Sequence, residues 1–135
     1  MINLATLTGA MIVALGHYNA GVFSNNDELS DAFLAAAKAE DEGAWRMPMS
    51  DKYDALIKSR IADMKNVGGR WAGSITAAQF LKRFVKDDMP WCHIDIAGVA
   101  LPPKETPLAP KGASGWGVMT LDRLVRDMVP ECHYA

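Results

Sequence analysis

The stretch Asn3-Leu4-Ala5-Thr6-Leu7-Thr8-Gly9-Ala10 constrains this chain more than any other, because its hydrophobic period changes partway along it. Ile2 to Thr6 is apolar in the manner of a strand buried on both faces, and Thr8-Gly9 then breaks the run. Ala10 to Leu15 follows as a short apolar helix closed by Gly16. A strand that feeds a helix through a tight turn implies a sheet covered by helices. A strand of this composition belongs inside such a sheet, with a neighbour on each side.

The alternation continues downstream. Gly21 to Ser24 reads as a second strand, and Asn25-Asn26-Asp27 supplies N-cap chemistry for a helix carrying Leu29, Phe33, Leu34 and Ala37 on one side. That helix is expected to run to about Asp41. Trp45 to Met49 reads as a loop, extended at its approach to Pro48, and Ser50 as the cap of a helix that turns Tyr53, Leu56 and Ile57 inward. The loop from Gly68 to Ser74 leads into a helix whose broad apolar face is Ile75, Ala78, Phe80, Leu81, Phe84 and Val85. Trp91 to Gly98 is the third strand. The proline-rich segment from Leu101 to Lys111 is expected to be an irregular surface loop, continued by Gly112 to Gly117. Val118, Leu121, Leu124, Val125 and Met128 mark a final amphipathic helix. No repeat, low-complexity tract or linker divides residues 1–135, which read as a single unit. Three short strands are few for an α/β sheet, so periodicity leans toward a piece of a larger sheet whose first strand is flanked from elsewhere.

Composition narrows the function classes. The 135 residues are 50% hydrophobic and 22% charged, with a formal charge of -2, which gives no polyanion-binding surface and no reason to expect nucleic acid as a partner. The apolar run from Ile2 to Leu15 lacks the basic flank of a signal peptide and is shorter than the roughly 20 residues a membrane helix needs. Cys92 and Cys132 lie far apart with no CxxC spacing, which suits a reducing compartment, so a cytoplasmic protein without a membrane partner is expected.

Candidate chemistry is thin. Cys92-His93 and Cys132-His133 together make a possible zinc set, but neighbours on a strand point to opposite faces and do not grip one ion. His93 and Asp95 share a face near the carboxyl end of their strand, where α/β proteins place their sites; the competing reading is a hydrogen-bonded structural pair beneath such a site. Asp63, Lys65 and Asn66 read as helix-end polar groups. Gly68 to Ser74 precedes a helix, where backbone N–H groups hold anions, yet no Lys and hydroxyl residue complete a phosphate loop. Neither a GxSxG elbow nor an HExxH pair occurs. The residues alone therefore define an α/β piece without a complete catalytic set.

Six ordered blocks, "NLATLTGAMIVALG", "AGVFSN", "AWRMPM", "IADMKNVGGRWAGSITAAQFLKRFV", "WCHIDIAG" and "GASGWGVMTL", cover most of the chain from Asn3 to Leu121. Together they resemble the C-terminal part of the leucine aminopeptidase family, the cytosolic leucyl aminopeptidases. The resemblance implies the C-terminal portion of a three-layer α/β/α catalytic domain with a mixed, mostly buried sheet. It implies a hexameric enzyme that removes N-terminal residues such as leucine from peptides with two divalent metal ions, zinc or manganese, sharing a bridging water or hydroxide. The family's metal-binding carboxylates, catalytic lysine and signature arginine all lie upstream of the strand matching Ile2 to Thr6, so no catalytic or metal residue is assigned and no metal is expected on this chain alone. Asp63, Asp95 and Glu42 occupy positions that the family does not use for metal.

What the resemblance does carry over is substrate contact. The turn matching Thr6, Leu7, Thr8 and Gly9 presents backbone groups to the bound peptide, and the positions of Ala97 and Ala100 help close the pocket for its first side chain. Small residues there leave room for leucine. Ser114 replaces the family's usual threonine, and Met119 its usual arginine. The expectation is an inactive chain carrying the pocket; the alternative is a non-catalytic binding or assembly module derived from the same family.

Overall fold

Two strands nearly ninety positions apart in the sequence lie side by side and parallel: Ile2 is paired with Cys92, Asn3 with His93, Leu4 with Ile94 and Ala5 with Asp95. They belong to a computed structural model that describes residues 1–107 and 109–129. Its elements, in order, are β1 (Ile2–Ala5), α1 (Gly9–Leu15), β2 (Ala20–Ser24), α2 (Asp27–Ala39), β3 (Ala44–Arg46), α3 (Asp51–Asp54) with a 3-10 turn at Ala55–Ile57, α4 (Gly73–Lys82), β4 (Cys92–Asp95) and α5 (Val118–Met128).

The strands form one mixed sheet in the order β1-β4-β2-β3, with β2 antiparallel to β4 and parallel to β3. Side-chain alternation divides its core in two. On one face Val22, Cys92 and Ile94 meet Leu29 and Phe33 of α2 and Leu124 of α5. On the other, Phe23 meets Met11 of α1 and Ile75 and Ala78 of α4. Helices thus cover both faces, giving the α/β/α layering expected; the inner strands β2 and β4 are fully buried, whereas β1 is half-buried.

Local chemistry explains where the helices start. Thr8 caps α1 by accepting from the Met11 N–H, and Asn26 caps α2 by accepting from the Leu29 N–H. The α5 cap position is Gly117, which has no side chain to offer. Buried Glu42 replaces it from across the fold, accepting from the Gly117 and Thr120 N–H groups at 2.9 Å and from the Thr120 hydroxyl.

Several expectations are corrected. Trp45 to Met49 is not all loop: Ala44–Arg46 is a fourth strand, held by Ala20 N–H on Gly43 O and Met47 N–H on Val22 O. Its three residues are too few to express an alternation, and Trp45 is 64% exposed. The third expected strand is shorter than Trp91 to Gly98, because the chain turns after Asp95. Among the described residues β1 lies at the sheet edge and has one neighbour. The α4 helix ends at Lys82, and Phe84 is exposed, its ring tilted against that of Phe80. Leu56 is exposed while Ile57 is buried. Along α5, Leu124 is the buried member of the expected stripe, whereas Val118, Val125 and Met128 face outward. Asp63, Lys65 and Asn66 follow the 3-10 turn in irregular backbone and terminate no helix.

Candidate functional site

Because β1 and β4 are parallel, both end on the same side of the sheet, where open α/β sheets bind their ligands. Each strand is followed by a turn: Thr6 to Gly9 after β1, and Ile96 to Ala100 after β4. The second is tight, with the Val99 and Ala100 N–H groups both donating to Ile96 O. It also packs closely on the end of α1. A Cβ added to Gly98 would stand 2.1 Å from the Gly16 carbonyl oxygen, and His17 Nδ1 donates to Gly98 O at 2.6 Å.

The two turns meet at Asp95, the last residue of β4 and fully buried. Its Oδ1 accepts from the Leu7 N–H and the Ala97 N–H, both at 3.1 Å. Its Oδ2 accepts from the Thr8 hydroxyl at 2.7 Å, and that same hydroxyl oxygen accepts from Met11 N–H. One carboxylate therefore joins the turn after β1, the turn after β4 and the start of α1. Of the six residues expected to contact substrate, Leu7, Thr8 and Ala97 converge on it directly. Thr6 and Gly9 are carried in the same turn and are exposed with Leu7. Ala100 is held separately: its carbonyl accepts from the Ser114 N–H at 2.9 Å, while the Ser114 hydroxyl donates to Val99 O at 2.6 Å. Serine at 114 thus pins the second turn with its hydroxyl. Two cavities, of about 610 and 450 Å³, are lined by none of the six; the second lies beside the turn after β4, bordered by His17, Val99, Ser114 and Met119.

His93 and Asp95 share a face but make separate bonds. The Trp91 indole N–H donates to Asn3 Oδ1 at 2.8 Å, which fixes the Asn3 amide so that its Nδ2 donates to His93 Nδ1, also at 2.8 Å. The neutral ring then carries its proton on Nε2, which has no partner among the described residues. Phe23 and Trp91 both stack on the imidazole. Burial holds the His93 pKa below the ordinary imidazole value, against the opposing pull of the Asp95 charge. Cys92 points to the opposite face, and burial pushes its thiol up to about 12. The zinc set is not assembled by Cys92 and His93, while Cys132 and His133 lie outside the described residues.

Among the described residues no three His, Cys, Asp or Glu side chains converge to hold a metal ion. The carboxylates of Glu42 and Asp95 are already surrounded by donors from the protein, and Asp63 is exposed and solitary. This donor set does not fit a two-metal centre. Sequence reasoning named Asp95 as one of a pair with His93 but missed its real partners; the signal was its place, one step before a strand ends in Ala97-Gly98. It also missed the capping role of Glu42 and the part played by Asn3, whose partners are distant in sequence.

The fold is similar to part of solved leucine aminopeptidase-like structures. A mutant of tomato leucine aminopeptidase superposes with a TM-score of 0.85 at 46% identity, over 92% of this chain and 24% of that one. The bottromycin maturation enzyme BotP, in complex with Mn, gives 0.87 at 36% identity, over 93% and 28%. Residues 1–122 match the family described as cytosol aminopeptidase family, catalytic domain, and the chain belongs to that family. A probable cytosol aminopeptidase of Dinoroseobacter shibae is 72% identical over 94% of this chain, and one of Cereibacter sphaeroides 67% over 96%. The chain spans about a quarter of the length of these curated relatives, 26% of each. No helix among the described residues is long and apolar enough to cross a membrane.

Proposed function

We propose that this chain is the C-terminal, substrate-pocket part of a metal-dependent aminopeptidase that releases N-terminal residues such as leucine from peptides. The observation that carries the reading is the junction at Asp95, which gathers an exposed turn at the end of β1 and small residues after β4 into one place. Leu7 and Gly9, exposed at that turn, offer backbone groups to an extended peptide, and Ala97 and Ala100 leave space for a bulky apolar side chain. In the intact enzyme, ligands from outside this chain would hold two divalent ions, zinc or manganese, which would supply Lewis acidity at the pocket. Family membership and the Mn-bound relative support metal use. The exposed apolar residues Val118, Val125 and Met128 on α5 favour association with further copies, in keeping with a hexamer, and the names of the relatives favour the cytoplasm.

Purified alone with added Mn or Zn, the chain is expected to leave leucine p-nitroanilide intact. Grafted in place of the matching segment of the D. shibae relative, it should hydrolyse that substrate at a metal-dependent rate. Metal-dependent turnover that co-elutes with the isolated chain would overturn the division of roles.

A further inference from the structure

We propose that Asp95 is a positioning residue for the substrate pocket: it sets the spacing of the two turns that grip the peptide, without touching the peptide itself. The inference rests on the substrate-pocket reading above and adds to it the group that determines the pocket's width.

Three observations support it. Asp95 is fully buried, and its oxygens are occupied by the Leu7 N–H, the Ala97 N–H and the Thr8 hydroxyl, so it is not free to bind substrate. Two of its three bonds are intersegmental, reaching Leu7 and Thr8 at 88 and 87 positions away, so each of these is a distance restraint between turns; the third, from Ala97 two positions on, fixes the carboxylate to its own turn. A carboxylate suits the task, because it accepts on both oxygens and offers no hydrogen of its own. The backbone ladder alone does not do this work. The last β1–β4 bond is Ile96 N–H on Ala5 O, and beyond it the Thr6–Gly9 turn is tied to the turn after β4 through this side chain.

Asparagine at position 95 keeps the shape but exchanges one acceptor oxygen for a donor NH2. That group faces the Thr8 hydroxyl, whose hydrogen then loses its acceptor Oδ2 while its oxygen must serve both Met11 N–H and the new NH2. The turn around Leu7 should then relax away from Ala97. Misplacement of binding groups by about 1 Å costs up to roughly 100-fold in rate, so a tenfold effect is a modest expectation.

The test uses the chimera of the D. shibae relative carrying this segment, assayed on leucyl and alanyl p-nitroanilides. Asp95→Asn is expected to raise KM for the leucyl substrate by about tenfold, change kcat less, and narrow the leucyl over alanyl preference. Thr8→Val, which removes one of the two restraints between the turns together with the α1 cap, should move both quantities in the same direction by less. A purely structural aspartate would lower melting temperature and active yield and leave KM and preference of the surviving enzyme unchanged; that result overturns the proposal. If Asp95→Asn yields no folded enzyme, Thr8→Val decides on the same two readouts. Ala97→Leu separates the failures. If it shifts the preference toward alanine while Asp95→Asn and Thr8→Val do not, the Asp95 proposal is wrong and the pocket reading stands. If Ala97→Leu leaves the preference unmoved, the pocket reading itself is wrong, and the positioning proposal falls with it.

Discussion

His93 is the residue at which burial and protonation conflict most openly. The ring is fully buried between Phe23 and Trp91, with Asn3 on Nδ1 and nothing on Nε2 among the described residues. Burial lowers its pKa in the folded chain, so between that lowered value and 6.5 the unfolded chain binds the extra proton. The contribution of His93 is therefore fully present above 6.5 and is lost as the pH falls from there toward the folded value. Melting temperature measured from pH 8 down to pH 5 should decline below 6.5, and His93→Phe, which keeps an aromatic ring between the same neighbours, should flatten that part of the profile. An unchanged slope in the variant would assign the acid sensitivity to other groups. Sequence made the shared face of His93 and Asp95 legible, since two-residue spacing on a strand dictates it. It did not reveal that they serve different partners, because Asn3 and Leu7 are brought in by a parallel pairing some ninety residues away.

At the scale of the element, α5 depends on a side chain that its own sequence does not contain. Gly117, at φ 97°, turns the chain into the helix but caps nothing, and the buried Glu42 carboxylate takes the free N–H groups of Gly117 and Thr120. Being negative, it also complements the positive end of the helix. Glu42→Ala should cost about 2 kcal/mol, the upper range of a lost cap, because these donors are buried and would stay unpaired. Urea unfolding measures that loss. Amide exchange should place the largest gain in opening at α5, and uniform acceleration across β2 and α2 would contradict the local role. Elements were legible where one period ran long enough: α2 announced itself through Asn26, Leu29 and Phe33. Strand β3 was hidden because three residues with an exposed tryptophan carry no alternation. The direction in which the α5 stripe faces was not legible for a related reason. Val118, Val125 and Met128 have helical spacing whether a helix packs on its own chain or offers that face to another surface.

For the whole molecule, the consequential feature is the open side of β1. Met1 O and Ala5 O point at β4, accepting from Cys92 N–H and Ile96 N–H, so by alternation the backbone groups of Ile2 and Leu4 face away from it. Among the described residues they have no strand to pair with. The apolar composition of Ile2 to Thr6 pointed to a strand flanked on both sides, and the curated relatives are about four times as long as this chain. An unpaired apolar edge is a template for further pairing. In the chimera with the D. shibae relative, a neighbouring strand should cover that edge. Hydrogen exchange at the Ile2 and Leu4 amides should then slow by at least tenfold relative to the isolated chain, whereas Val22 and Ile94, central in both, change little. Equal protection in both forms, in an isolated chain that sedimentation shows to be monomeric, would mean that β1 is a true edge strand and that the rest of the enzyme docks elsewhere. Slow exchange in the isolated chain accompanied by dimers or larger species would instead place a second copy on the edge, and diluting the chain until it is monomeric should then restore fast exchange at Ile2 and Leu4.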